Sequence, residues 1–116
     1  MQRLATGAAG EERAARWYDQ HGYDVVARNW RCKEGELDLV AVRRRDALVV
    51  ICEVKTRSSD RFGTAAEAVG WDKQRRLRVL AARWLADPAA PARHRGVRFD
   101  VACIQAGRLE VIEAAF

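Results

Sequence analysis

Residues 48–52 read Leu-Val-Val-Ile-Cys, five apolar residues without a break, and the next residue is Glu53. A strand turns alternate side chains to opposite faces, so a run apolar at every position is covered on both. Ala47–Lys55 is therefore expected to be the central strand of a sheet with structure packed on each side. In 116 residues there is room for one such core, so residues 1–116 are read as a single domain.

The flanking segments supply the rest of an α/β layered domain. Thr6–His21 reads as a helix capped by Thr6 and stopped at Gly22, with Ala14, Trp17, Tyr18 and His21 on one stripe. Tyr23–Trp30 reads as a strand, Arg31–Gly35 as a turn and Glu36–Val42 as a second strand. In that second strand Leu37, Leu39 and Ala41 are expected on one face, and Glu36, Asp38, Val40 and Val42 on the other. Arg43–Asp46 is a charged hairpin turn into the central strand. Thr64-Ala65-Ala66-Glu67 matches a capping box for a short helix interrupted at Gly70. Asp72–Ala86 is a longer helix with Leu77, Leu80, Ala81 and Trp84 inward. Val97–Ile104 and Arg108–Glu113 form a last hairpin across Gln105-Ala106-Gly107. The order helix, three strands, helix, two strands predicts a mixed central sheet flanked by helices.

Three cysteines, Cys32, Cys52 and Cys103, form no C-x-x-C pair, zinc spacing or disulfide framework. Cys52 and Cys103 lie in apolar runs and read as small buried thiols, which suits a reducing cytoplasm. Met1–Gly10 holds no apolar stretch of signal-peptide length, and no run approaches the roughly 18 apolar residues of a membrane span. A soluble cytoplasmic protein with no membrane partner is expected.

The informative carboxylates are those at the ends of apolar strands. A lone buried Glu53 costs several kcal/mol unless it is paired (roughly, by transfer arguments). Lys55, two residues on, leaves the same face. A hairpin pivoting near Asp46 sets Glu53 roughly opposite Asp38 or Leu39, close enough for Asp38 and Glu53 to share one ion. Two such carboxylates repel, and one pKa rises unless a cation lies between them. Oxygen ligands without His or Cys point to a hard cation, Mg²⁺ or Mn²⁺, with the Val54 main-chain carbonyl as a further ligand. Such an ion assists phosphodiester hydrolysis, with Lys55 orienting the water or meeting charge on the phosphate. Without Asp38, Glu53-Val54-Lys55 would read as a same-face ion pair at a strand end.

Lysine usage points to the same place. Of 21 basic residues only Lys33, Lys55 and Lys73 are lysines. A coding bias that favours arginine and alanine accounts for much of the net charge of +5. A lysine kept in such a background marks a position where a compact point charge does what a guanidinium does not.

Gly35-Glu36-Leu37-Asp38-Leu39-Val40, Glu53-Val54-Lys55-Thr56-Arg57 and Arg98-Phe99-Asp100-Val101 together resemble the YraN-like family of small bacterial proteins. The resemblance runs from Gly10-Glu11 through Gly22-Tyr23 and Arg28-Asn29-Trp30 to Ala115-Phe116. The family is related to the restriction-endonuclease-like (PD-(D/E)XK) nucleases and is similar to the archaeal Holliday junction resolvases. The resemblance implies a restriction-endonuclease-like core, with Asp38, Glu53 and Lys55 matching the Asp and Glu-x-Lys catalytic pattern. It also implies an acidic residue from the first helix, matched by Glu11, with Glu12 as the next choice.

Around this set, Glu36 is a candidate for a further carboxylate beside the ion or for a turn-proximal surface charge. Lys73, Arg75 and Arg76 on the second long helix, and Arg57 and Arg61 after the Glu-x-Lys pair, are candidate phosphate contacts or solvated side chains. Arg43-Arg44-Arg45 reads as a solvated turn, Asp100 as a structural partner of an arginine, and Trp17, Trp30 and Trp84 as core. His21 and His94 have neither triad nor metal spacing. The expected activity is a Mg²⁺- or Mn²⁺-dependent endonuclease acting on DNA, with branched or structured DNA and a homodimer as what resolvase likeness suggests. The alternatives are a non-catalytic nucleic-acid-binding module on the same fold and a protein-interaction domain.

Overall fold

A computed structural model describes residues 2–57 and 69–116, with side chains from residue 8 onward. Its elements are α1 (Gln2–Gln20), β1 (Tyr23–Cys32), β2 (Gly35–Arg43), β3 (Val49–Arg57), α2 (Trp71–Leu85), β4 (Val97–Gln105) and β5 (Arg108–Ile112). The order is the expected one. The strands form one sheet in the order β1-β2-β3-β4-β5, antiparallel except for the parallel β3–β4 pair. A parallel pair needs a crossover, and the segment containing α2 supplies it.

β3 is the central strand, and its alternation sorts the core into two layers. Val49 and Ile51 pack with Leu77, Leu80, Ala81 and Trp84 of α2. Val50 and Cys52 pack with Ala14, Ala15 and Tyr18 of α1. All four inward residues expected on α2 are buried, as are Cys52 and Cys103. Trp17 and Trp30 are partly buried against the two layers. Among the described residues no helix is long and apolar enough to cross a membrane.

Three local expectations need correction. α1 begins at Gln2, so the backbone is already helical at Thr6, and Thr6 does not cap its start; Gly22, at φ +91°, does end the helical segment. β1 continues to Cys32 because Arg31 pairs with Glu36 across a Lys33-Glu34 turn, their side chains 2.6 Å apart. The third correction concerns β2: Leu37 joins Val40 in the α2 layer, while Leu39 and Ala41 face α1. Simple alternation fails between Leu37 and Leu39. The neighbouring strand breaks step at the same level, since Ala27 and Trp30 both lie against the α2 layer. Between the pairs Arg28–Leu39 and Trp30–Leu37, Asn29 takes a left-handed φ of +49°. Asparagine tolerates that region better than most residues. This joint kink sits at Asp38.

Candidate metal and phosphodiester site

The β2–β3 ladder runs from Val42–Val49 to Leu39–Cys52. One further step would set Asp38 opposite Glu53, the register expected from a hairpin pivoting near Asp46. That turn is closed by Arg43, which donates to both carboxylate oxygens of Asp46 at 2.9 and 2.8 Å. Backbone pairing stops at Leu39, and the Asp38 side chain takes over. Its Oδ2 accepts the Val54 N–H at 2.9 Å. In an extended strand a residue's N–H and C=O point to the same side. The Val54 carbonyl therefore opens toward Asp38, as a main-chain ligand would.

Glu53 is buried, with 5% of its side chain exposed. Alternation from Ile51 puts it on the α2 side, and its Oε2 receives two ammonium groups. Lys55 Nζ lies at 3.2 Å and Lys73 Nζ at 3.3 Å. Lys73, expected as a phosphate contact, stands on Glu53 itself. Among the described residues Asp38 has no such cation. Burial, followed by the charge of Glu53, pushes its carboxyl up to about 7, and the charge of Glu11 adds to the effect. The Val54 N–H opposes the rise.

α1 brings Glu11 to this end of the sheet because Gly10 lets the helix come close. A Cβ on Gly10 would lie 2.7 Å from Thr56 Oγ1 and 3.3 Å from Ile104 Cδ1. Asn29 Nδ2 donates to Glu11 Oε1 at 3.1 Å, so the kinked residue of β1 also orients the carboxylate. Glu12, the alternative, points away and pairs with Arg28 at 2.6 Å. Asn29 was not among the expected site residues; its signal was an amide side chain inside a strand.

The remaining candidates separate from this cluster. Glu36 is occupied by Arg31 on the far side of the β1–β2 hairpin. Arg75 pairs with Asp72 at 2.8 Å. Arg76 is exposed, and its stem runs beside Gly35. Arg57 ends β3 opposite Gln105, half-buried. Arg61 and the Thr64–Glu67 capping box lie outside the described residues. Arg44 is spent on Asp24 and the Tyr23 carbonyl. His21 stacks on Trp17 at 3.9 Å. Trp71 is 80% exposed at the start of α2, off the stripe of Leu77, Leu80, Ala81 and Trp84.

Asp100 is the structural residue expected, and its partners complete a buried network. Arg98 Nε and Nη2 reach its two oxygens at 2.9 Å each. The Tyr18 hydroxyl donates at 2.6 Å and the Ala114 N–H at 3.0 Å. Arg98 also donates to the Tyr23 hydroxyl at 2.9 Å. Burial, with the nearby Cys52 and Asp100, pushes the Tyr18 phenol far above its ordinary range. The tyrosines had been legible only as apolar members of a helix stripe and a strand.

The donors around Asp38 suit a hard dication. They are carboxylate and carbonyl oxygens, and burial together with the charge of Glu53 lifts the Asp38 pKa. Among the described residues no three His, Cys, Asp or Glu side chains gather tightly enough to hold an ion alone. Mg²⁺ typically takes one or two carboxylates and keeps several waters.

These features define a small mixed α/β domain with an acidic, lysine-bearing notch where the β2–β3 ladder ends. The chain belongs to the uncharacterised protein family UPF0102, whose family model matches residues 10–104. This is the family of the YraN-like proteins, as the motifs indicated. A UPF0102 protein of Frankia alni is 55% identical over 101 residues, 86% of this chain and 80% of its own. One of Beutenbergia cavernae is 55% identical over 100 residues, 86% and 81% of the two chains. One of Frankia casuarinae is 50% identical over 117 residues, 97% and 96%.

Proposed function

We propose that the protein is a divalent-metal-dependent endonuclease that hydrolyses phosphodiester bonds in DNA, with branched or structured DNA as its preferred class. The observation that carries this reading is the Asp38 carboxyl beside Glu53, with no cation on it among the described residues, at the point where strand pairing gives way to side chains. Asp38, Glu53 and the Val54 carbonyl would hold Mg²⁺ or Mn²⁺, with Glu11 as the further carboxylate. A bound dication supplies Lewis acidity toward a phosphodiester oxygen and makes an attacking water more acidic. Lys55 places positive charge where the phosphate would gain negative charge. The Val54 N–H fixes one Asp38 oxygen and so holds the carboxyl at the end of the ladder, beside Glu53. The preference for branched DNA, and a homodimer to match a two-fold junction, rest on the likeness to junction resolvases.

The test uses the purified protein with Mg²⁺ or Mn²⁺ and a panel of duplex, single-stranded and four-way-junction DNA. Cleavage by the wild type is expected, with loss of at least about 100-fold in Asp38→Asn and Glu53→Gln while the folded spectrum persists. No cleavage of any substrate sinks the proposal. The double lysine pairing of Glu53 favours a second reading, a nucleic-acid-binding module that needs no ion. Salt-sensitive DNA binding with no calorimetric signal for Mg²⁺ or Mn²⁺ would select it.

A further inference from the structure

Two of this chain's three lysines end on one oxygen. Lys55 belongs to β3 and Lys73 to α2, and both ammonium groups lie 3.2–3.3 Å from Glu53 Oε2. The carboxylate between them is 5% exposed, whereas the lysine side chains are 35% and 37% exposed. One ammonium already matches one carboxylate. The second is more positive charge than one carboxylate calls for. The third lysine, Lys33, is 82% exposed on a turn, so in this arginine-rich chain the compact ammonium is concentrated at Glu53. A guanidinium would bind carboxylate as a planar fork and stay; an ammonium on a four-carbon stem is a point charge that can swing away.

We propose that Lys73 is a positioning residue that stands in for the cation: it holds the Glu53 side chain in place while the ion is absent, gives way when the ion binds, and then turns to a substrate phosphate. The inference rests on the metal-dependent reading above. Lys55 shares a strand with Glu53 and is fixed by the pleat to the same face. Lys73 comes from another element, through the partly exposed side of the notch. A dication brought beside Glu53 with both ammoniums in place adds two positive charges next to two ammonium groups already on one carboxylate oxygen. The repulsion is relieved when the ammonium carried by the separate element, Lys73 of α2, leaves. An ammonium released beside the scissile position meets the phosphate backbone, the anion the site receives.

The substitution Lys73→Met keeps the stem and removes the charge. It is expected to tighten Mn²⁺ binding to the DNA-free protein on the order of tenfold, the water-screened repulsion between an ammonium and a dication a few ångströms apart. Lys73→Arg keeps the charge and, as a fork that stays on the carboxylate, is expected to bring the affinity down to wild type or below. The salt dependence of binding to a short DNA duplex supplies a second readout. In EDTA, wild type and Lys73→Met should have equal log–log slopes. In Ca²⁺ the wild-type slope should be steeper by about one, the mark of one added phosphate contact. Equal or weaker Mn²⁺ affinity in Lys73→Met, or a slope difference already present in EDTA, overturns the inference and leaves the nuclease reading standing. A wild type that binds neither Mn²⁺ nor Ca²⁺ overturns both.

Discussion

Asp38 carries two conflicting demands. Its Oδ2 closes the sheet end by accepting from Val54, and its charge lies beside Glu53 in a poorly solvated notch. In the ion-free protein the folded-state pKa stands above the ordinary carboxylate value, at about 7 against 3.8. The folded protein then binds more protons than the unfolded chain between these values. Its contribution to stability is full below about pH 4 and is lost as pH rises through about 7. The loss is at most about 4 kcal/mol, from the free-energy equivalent of a pKa difference. Urea midpoints measured in EDTA should fall from pH 4.5 to 7.5, and Asp38→Asn should remove most of the fall. Mn²⁺ at pH 7.5 should restore the wild type and leave Asp38→Asn unchanged. A wild-type midpoint that rises with pH over this range would contradict the assignment.

At the scale of elements, the site depends on how closely α1 lies on β3. Gly10 is the contact that sets the spacing, and Glu11 follows it in sequence. Gly10→Ala puts a methyl group 2.7 Å from Thr56 Oγ1, and Thr is stiff about χ1. We expect a cost of about 1–3 kcal/mol from overpacking, despite the better helix propensity of alanine. The double substitution Gly10→Ala, Thr56→Ala should recover a large part of it in a double-mutant cycle. Additive effects would show that the helix is not seated by this contact. The same scale explains what was legible. The inward face of α2 and both faces of β3 follow from periods of 3.6 and 2, and the hairpin register follows from the turn. The faces of β2 did not follow, because the left-handed Asn29 and the kink at Asp38 break the period in both strands.

For the molecule as a whole, Asp100 is the tie between layers. It is fully buried and joins Tyr18 of α1, Arg98 of its own strand and the Ala114 N–H beyond β5. Through Arg98 it also reaches Tyr23 of β1 and Glu113. Asp100→Ala removes the main partner of an arginine only 15% exposed and takes the carboxylate acceptor from a buried phenol. We expect a loss of about 3–5 kcal/mol in urea unfolding, a large share of a typical domain's stability. Tyr18→Phe should cost less, about 1.5–3 kcal/mol, since it removes one hydrogen bond to a charged group. Loss below 1 kcal/mol for Asp100→Ala would show the network to be replaceable by packing. The Arg98–Asp100 pairing was readable as same-face spacing within one strand. The tyrosines were not, because Tyr18 and Asp100 are 82 residues apart and meet only when α1 docks.

The sequence by itself determined the element order, the two-faced central strand and the approach of Asp38 to Glu53. These are local consequences of side-chain period and of a short turn, which act between neighbours in the chain. Tertiary structure decided the rest: Glu11 rather than Glu12 faces Asp38, Asn29 orients it, and Lys73 meets Lys55 on one oxygen of Glu53. Those choices depend on how far each helix rotates and how closely it settles on the sheet. Both are set by the combined packing of many side chains, which no single stretch of residues specifies.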